Sequence, residues 1–415
     1  MSTEINKIFE EYASKSTTTP FPAVTFRAVD QAGKVLYSSS HGNTKVDGSG
    51  EAVTEDTPFY TASMTKVFTA VAVMVAVERG LITLDDDVGK VVPELAELEI
   101  LEGFEEDGKP IVRKASKKLT LRRLLTHSSG FAYHLTRENL QKWNAYQRRD
   151  TTKMDGSYVY NAAILPEENE QYRQPLLFEP GENWAYGPGV DWAGRAVEVV
   201  SKQTLEEFMK ENIHDKLGLK STTFRPENIP NFAARRVEIS SRNAEGKFTP
   251  MPVPIYPIPA TDCLGGTGLY STTREYTTLL ATLLAGGGSV LKPESVEQIF
   301  KPQLEDKKLI NDLFNTPGGQ RLNRSLTTGK VVTMGLTVCI NLDDVPGMRP
   351  ANCVGGGGLT NMFWWLDRNS GICAGLFFHY LPPVDPLAVE VADKIEEVVY
   401  KNLRGELSQG NQGYY

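Results

Sequence analysis

Cysteine and histidine are scarce, four and five residues in a chain of 415, and neither is spaced for metal or redox chemistry. Cys263, Cys339, Cys353 and Cys373 contain no Cys-x-x-Cys pair, and three of them sit in apolar, strand-like contexts, so buried free thiols are expected. His41, His127, His134, His214 and His379 show no His-x-x-x-His spacing, which leaves a metal site without a motif. Any catalysis is expected to need no metal and no cofactor. Long apolar runs are also lacking: no stretch reaches the roughly 20 residues of a membrane helix. The first twenty residues, with Glu4, Lys7, Glu10 and Glu11, have no signal-peptide apolar centre. A cytoplasmic protein without membrane contact is the expectation. Positive charge is in deficit, 44 Lys and Arg against 52 Asp and Glu for a net charge of −8, which argues against nucleic acid as a partner.

What is present, 40% hydrophobic and 23% charged residues, suits a globular chain long enough for two or three core units. The most informative stretch is 60–80. Val67 to Val77 is apolar except for Thr69, so a helix here has no solvent face and belongs inside a large core. Arg79 and Gly80 are C-terminal signals, and Ser63 stands where an N-cap or first-turn residue belongs. Positions i and i+3 share a helix face, which puts Lys66 beside the Ser63 hydroxyl. First-turn N–H groups have no partner within the helix and can hold a developing oxyanion. The pair is a nucleophile and its base only where the amine is desolvated or near another cation. Ser-x-x-Lys also recurs by chance as a cap and a solvated charge, so other segments must decide.

Residues 4–14 pattern as a helix, and Ala23–Val29 and Val35–Ser40 as two strands about the turn at Asp30–Gly33. Asp85-Asp86-Asp87 is a solvated cluster at a helix start rather than a cation site, and a loop is expected around Glu102–Gly108. Leu119–Gly130 is an N-capped short helix entering a polar turn, where His127 is expected to bond backbone and shape the turn rather than act as a base. Residues 135–260 show mostly helical patterns, Leu205–Leu217 among them, with long polar connections that include the proline-rich Pro250–Pro259. Within them Phe178–Gly189 is a Gly/Pro-rich turn carrying Trp184 and Tyr186 into a helix over Asp191–Val199. A tyrosine on so constrained a loop is either an acid–base group or a packed aromatic. Gly265, Gly266 and Gly268 lack the strand and basic residue of a phosphate site and point to close backbone packing. A helix over Arg274–Ala285, strands at Val331–Ile340, Asn361–Asp367 and Ile372–His379, and a helix over Pro386–Leu403 complete the pattern. Gly355–Gly358, just ahead of the strand at 361, lets backbone approach another group closely.

Taken in order, Ser63-Met64-Thr65-Lys66, Leu119–Gly130, Tyr186, Gly266–Thr272 and Gly355–Gly358 resemble the serine β-lactamase and penicillin-binding-protein superfamily, in its class C-like branch with the family VIII carboxylesterases. The resemblance spans roughly residues 20–405. Leu101–Gly108, Trp184–Gly187 and Asp191–Gly194 look most like the fungal acyltransferases that attach the lovastatin side chain. The resemblance implies an α+β, β-lactamase/transpeptidase-like fold: an antiparallel sheet flanked by helices from residues 1–90 and 260–415, with a mostly helical domain, 91–259, inserted and the active site in the cleft between. It implies that Ser63 attacks an acyl carbonyl, that Lys66 and Tyr186 share the proton transfers, and that the N–H groups of Ser63 and Gly358, with Gly357 alongside, receive the oxyanion. The chemistry is coherent, since a hydroxyl needs a base within hydrogen-bond reach.

Two departures from the superfamily pattern bear on substrate. Gly187 and Pro188 follow Tyr186 where an asparagine is usual, and Gly355-Gly356-Gly357 stands in place of Lys-Thr-Gly. Both remove polar grips on a peptide or β-lactam carboxylate and favour neutral esters or thioesters. Tyr133 and Trp364 are expected to offer an apolar binding surface, whereas Trp365, alternating with Trp364, belongs to the core. The expected activity is a serine acyltransferase or esterase that moves an acyl group from a small-molecule donor to an alcohol or water. An acyl-carrier or other thioester-bearing protein is a second compatible donor. A β-lactamase or D-amino-acid peptidase, and a catalytically silent binding protein of the same fold, are the alternatives.

Overall fold

The computed structural model describes residues 2–15, 21–134, 137–147, 174–251, 254–260, 262–304, 306–316, 319 and 331–410. Its strands are β1 (Ala23–Asp30), β2 (Val35–Gly42), β3 (Phe59–Tyr60), β4 (Glu99–Phe104), β5 (Pro110–Lys114), β6 (Ser240–Arg242), β7 (Phe248–Pro250), β8 (Tyr270–Ser271), β9 (Val332–Met334), β10 (Cys339–Asn341), β11 (Val354–Gly358), β12 (Met362–Asp367), β13 (Ile372–Phe378) and β14 (Tyr380–Leu381). Helices that frame the site are α1 (Ser2–Lys15), α2 (Thr65–Glu78), α3 (Leu121–Leu125), α4 (Glu138–Tyr146), α5 (Gly189–Ser201), α6 (Leu205–Met209), α7 (Thr273–Leu284) and α8 (Pro386–Gly410).

Seven strands form one antiparallel sheet ordered β2-β1-β13-β12-β11-β10-β9, so segments from both ends of the chain meet at β1–β13. The hairpin β1–β2 turns at Asp30, whose Oδ1 accepts the N–H groups of Ala32 and Lys34 at 2.9 Å each. Side chains alternate across this sheet. Phe26, Trp365, Leu376 and Phe378 face α1 and α8, while Trp364, Leu366 and Phe377 face α2 and α7. The expected split between Trp364 and Trp365 is what the structure has.

On the inner face, every residue of α2 from Thr65 to Ala76 is buried. Each Val, Phe or Met so placed contributes about 1.5–3 kcal/mol, which makes α2 a rigid platform for whatever its first turn carries. It ends as expected, with Gly80 in the left-handed region at φ 69°.

Several local expectations change. The four glycines are not a prelude to a strand but most of β11 itself, paired Gly355 to Trp365, Gly356 to Trp364 and Gly358 to Met362. The pattern at Val331–Ile340 is a hairpin, β9–β10, because Gly335 breaks it: a Cβ there would stand 2.2 Å from the Ile299 carbonyl oxygen. The region around Glu102–Gly108 is a hairpin, β4–β5, closed by Glu105 N–H on Lys109 O at 2.8 Å. Leu205–Leu217 is interrupted after α6 by a π-turn, Lys210–His214. Strands β4 to β7 thus interleave with the helices of 91–259, and β6 pairs with β14. Part of that stretch, 148–173, lies outside the described residues.

Two local expectations, for the aspartates and for the cysteines, are met. The three aspartates serve local ends: Asp85 pairs with Arg122 (2.8 and 2.7 Å), Asp86 accepts from Thr83 N and Asp87 from Gly89 N. All four cysteines are free and buried. Among the described residues no helix is long and apolar enough to cross a membrane, and no cluster of His, Cys, Asp or Glu is placed to hold a metal.

The end of β11 presses on the turn before α2. A Cβ on Gly358 would lie 2.8 Å from Thr61 O and 3.5 Å from Met64 Cγ. Gly358→Ala is therefore expected to lower the unfolding free energy by about 1–3 kcal/mol, measured by urea titration.

Candidate active site

Ser63 lies not in α2 but in the single 3₁₀ turn Ala62–Met64 that enters it. Ala62 holds φ 46°, a conformation that costs a non-glycine residue energy and persists only where surroundings enforce it. The enforcement is visible. Thr61 N–H and hydroxyl both bond Leu269 O (3.0 and 2.7 Å), and Thr65 donates to Ala62 O at 2.7 Å while accepting from Leu269 N at 3.1 Å. Tyr276 OH donates to Met64 O at 3.0 Å. From the other side, Tyr60 N–H bonds His379 Nε2 at 3.2 Å, fixing β3 just ahead of the turn.

Lys66, 3% exposed, donates from Nζ to Ser63 Oγ at 3.1 Å and to Gly266 O at 2.8 Å. Gly266 also gives its N–H to Asp191 Oδ1 at 2.8 Å, so one glycine links the lysine to a buried carboxylate. A Cβ on Gly266 would stand 2.3 Å from Asp191 Oδ2, so close packing is indeed why a glycine is there. Burial raises the Asp191 carboxyl to about 6, with the Lys66 charge pulling it back down. Asp191, in the first turn of α5, is a buried neighbour of Lys66 that the sequence pattern gives only as part of a family resemblance.

Tyr186 arrives on a loop tied down along its length. Glu179 accepts from Ser116 N (3.0 Å), Lys117 N (3.1 Å) and Arg113 Nη1 (2.5 Å), and Gly181 N–H bonds Ser128 O at 2.7 Å. His127 brackets Tyr186 itself: its carbonyl accepts from Ala185 N at 2.9 Å, its Nδ1 from Gly187 N at 3.4 Å, and its ring packs 4.5 Å from the tyrosine ring. With φ 59° and an imidazole that burial and then the Lys66 charge hold well below its ordinary range, His127 is the neutral turn-shaping residue expected. The Tyr133 ring packs tilted against Tyr186 at 5.6 Å, and Lys66 Nζ sits 4.8 Å over the Tyr186 ring and 5.7 Å from that of Tyr133. Burial, with Asp191 and Tyr186 nearby, raises the Tyr133 phenol well above its usual range.

Ser63, Lys66, Tyr186, Gly357 and Trp364 line one cavity. Tyr133 flanks it through Tyr186, and Gly358 adjoins it through the Thr61 backbone. The same cavity takes Met334, Thr337 and Cys339 from the β9–β10 hairpin. These three escape the sequence pattern because it reads Val331–Ile340 as one strand; a glycine inside a β-run, here Gly335, is also the signature of a tight reversal. A larger, open cleft between β4–β5 and α4, lined by Glu99, Val112, Trp143 and Tyr146, has no paired nucleophile and base among its lining residues.

With this geometry in view, comparison with known proteins gives a class first. The beta-lactamase family pattern matches residues 25–395, and the chain belongs to that family. Within it, lovastatin esterase of Penicillium rubens is 33% identical over 364 residues, 86% of this chain and 88% of that protein. The monacolin J acid methylbutanoyltransferase of Aspergillus terreus is 30% identical over 394 residues, 91% of each. A mutant of simvastatin synthase (LovD) from Aspergillus terreus superposes with a TM-score of 0.86 at 28% identity, covering 97% of both chains. The β-lactamase/transpeptidase-like fold is as expected, and these relatives carry names of the expected reaction class, esterase and acyl transfer.

Protonation sets a stability window. His214, edge-on to Phe68 of α2 at 6.0 Å, and His379 are both depressed from 6.5 to about 4 by burial. Below about 6.5 the unfolded chain binds protons at these two imidazoles that the folded chain refuses, so stability falls with pH from there towards about 4. Asp191, raised to about 6, acts in the opposite sense, because the folded state protonates it first. His127, held low as well, and Glu179, lowered to about 2, add to the two imidazoles and outweigh the Asp191 carboxyl, and the unfolding free energy from urea melts is expected to be lower at pH 4.5 than at pH 7 by at least about 2 kcal/mol.

Proposed function

We propose that this protein is a serine acyl-enzyme esterase or acyltransferase in which Ser63 is the nucleophile and Lys66 and Tyr186 carry the proton. The observation behind this is the buried Lys66 Nζ held 3.1 Å from Ser63 Oγ in a cavity shared with Tyr186. Ser63 Oγ attacks the carbonyl of an ester or thioester, and its proton passes to the lysine–tyrosine pair. The negative charge on the carbonyl oxygen is received by the N–H groups of Ser63 and Gly358, an assignment supported by the contact of β11 with the Thr61–Met64 turn. Collapse breaks the bond to the leaving alcohol or thiol, which takes the proton. Water or an acceptor alcohol then attacks acyl-Ser63 and the same pair returns the proton.

Substrate class follows from what surrounds the nucleophile. Gly355 and Pro188 provide no charge or amide to grip a carboxylate, and Met334, Cys339 and Trp364 give the cavity an apolar wall, with Tyr133 alongside. That wall suits an uncharged acyl group such as the methylbutanoyl in one relative's name, carried by a small ester or by an acyl-carrier thioester. The acceptor is a small-molecule alcohol of the kind found in secondary metabolism, or water. The domain division is part of the same reading: 1–90 and 260–415 form the sheet domain, 91–259 the inserted one, and Ser63 with Tyr186 face each other across their boundary.

Intact-protein mass spectrometry tests the reading directly. After exposure to p-nitrophenyl butanoate or an acyl thioester, the wild-type chain should gain one acyl mass that Ser63→Ala does not, while a penicillin labels poorly. Lys66→Ala and Tyr186→Phe should each slow acylation by about 10²–10⁴-fold. No label from any donor, or a label that persists in Ser63→Ala, sinks the assignment. An added alcohol that diverts product from acid to ester identifies transfer; acid alone identifies hydrolysis.

A further inference from the structure

The β9–β10 hairpin carries one residue that neither the nucleophile nor its proton pair accounts for. Thr337 holds φ 67°. For a β-branched side chain this is a true outlier, where glycine or asparagine would sit without strain. Its N–H is anchored on Leu125 O at 2.8 Å, which fixes the hairpin tip against the end of α3. Its hydroxyl oxygen is buried and has no hydrogen-bond partner among the described residues, although a buried hydroxyl without a partner is costly. Thr337 lines the cavity that contains Ser63, Lys66 and Tyr186. Its hairpin neighbours there, Met334 and Cys339, are apolar, and burial pushes the Cys339 thiol up to about 12, so neither supplies a charge to satisfy it. Two costs thus coincide at one residue of the cavity lining, backbone strain and an unmatched buried hydroxyl. Strain and orphaned polar groups of this kind mark binding sites.

We propose that Thr337 is a substrate-binding residue whose hydroxyl hydrogen-bonds an oxygen of the molecule seated against Ser63, in either the acyl donor or the acceptor alcohol. It stands in for part of the polar grip that Gly355 and Pro188 lack. The proposal rests on Ser63 being the nucleophile, and the acyl mass on Ser63 reports that separately in each variant.

Thr337→Val keeps shape and β-branching but removes the hydroxyl; Thr337→Ser keeps the hydroxyl. With p-nitrophenyl butanoate as donor and a primary alcohol such as 1-hexanol as acceptor, kcat/KM for each is measured alongside Tm. Thr337→Val should lower kcat/KM for at least one of the two by about three- to tenfold, leave Tm equal or raised because the orphan hydroxyl is gone, and be rescued by Thr337→Ser. A loss confined to the donor places the contact in the acyl-donor step, and a loss confined to the acceptor places it in transfer. Unchanged kcat/KM for both, a loss that serine does not restore, or a lowered Tm as the sole effect overturns the proposal. If Ser63 fails to acylate even in the wild-type chain, the fault lies with the nucleophile assignment instead.

Discussion

Everything at this site depends on keeping a lysine amine dry beside a hydroxyl. Burying such a group alone is costly, and the surroundings supply the compensation: the Gly266 carbonyl takes one hydrogen bond, Ser63 another, and the Asp191 carboxylate offsets the charge through the opposite side of the same glycine. Around that arrangement α2 excludes water on every face. Loss of Gly266 would therefore disturb two groups at once, the acceptor of the lysine and the seat of its counter-charge.

Much of this was legible beforehand, and for a definite reason. Ser63, Lys66 and the apolar run behind them are local in sequence, so helix periodicity alone set them side by side, and the family pattern added Tyr186. The alternation of Trp364 and Trp365 likewise needed only the period of a strand. What escaped were relations that depend on three-dimensional reversal. A four-glycine segment offers no side-chain pattern by which to recognise β11, and Gly335 folded a presumed single strand into the hairpin that brings Met334, Thr337 and Cys339 to the cavity. Asp191 lay in a quoted motif, yet its link to Lys66 passes through Gly266, 75 residues away from it, which no local spacing reveals.

Positioning is divided between parts that move little and parts that are merely tied. The Ser63 turn is held by its own threonines and by hydrogen bonds from three other segments, at Leu269, Tyr276 and His379. The tyrosine instead reaches the site on a loop whose geometry is inherited from His127, Glu179 and Ser128. An imidazole that must stay neutral to accept the Gly187 N–H is well served by burial, and the nearby lysine charge reinforces the same state. The Tyr186 phenol is thus aimed by a neutral, buried histidine.

The glycine strand has a consequence for how this site can diversify. Because β11 brings almost no side-chain volume, the indole of Trp364 occupies the space over Gly356, where a Cβ would come within 2.7 Å of its Nε1. The two positions share one allotment of volume across the strand pair. Any larger residue at 356 requires a smaller one at 364, so the width of the acyl cavity and the bareness of the strand beside it are expected to change together or not at all.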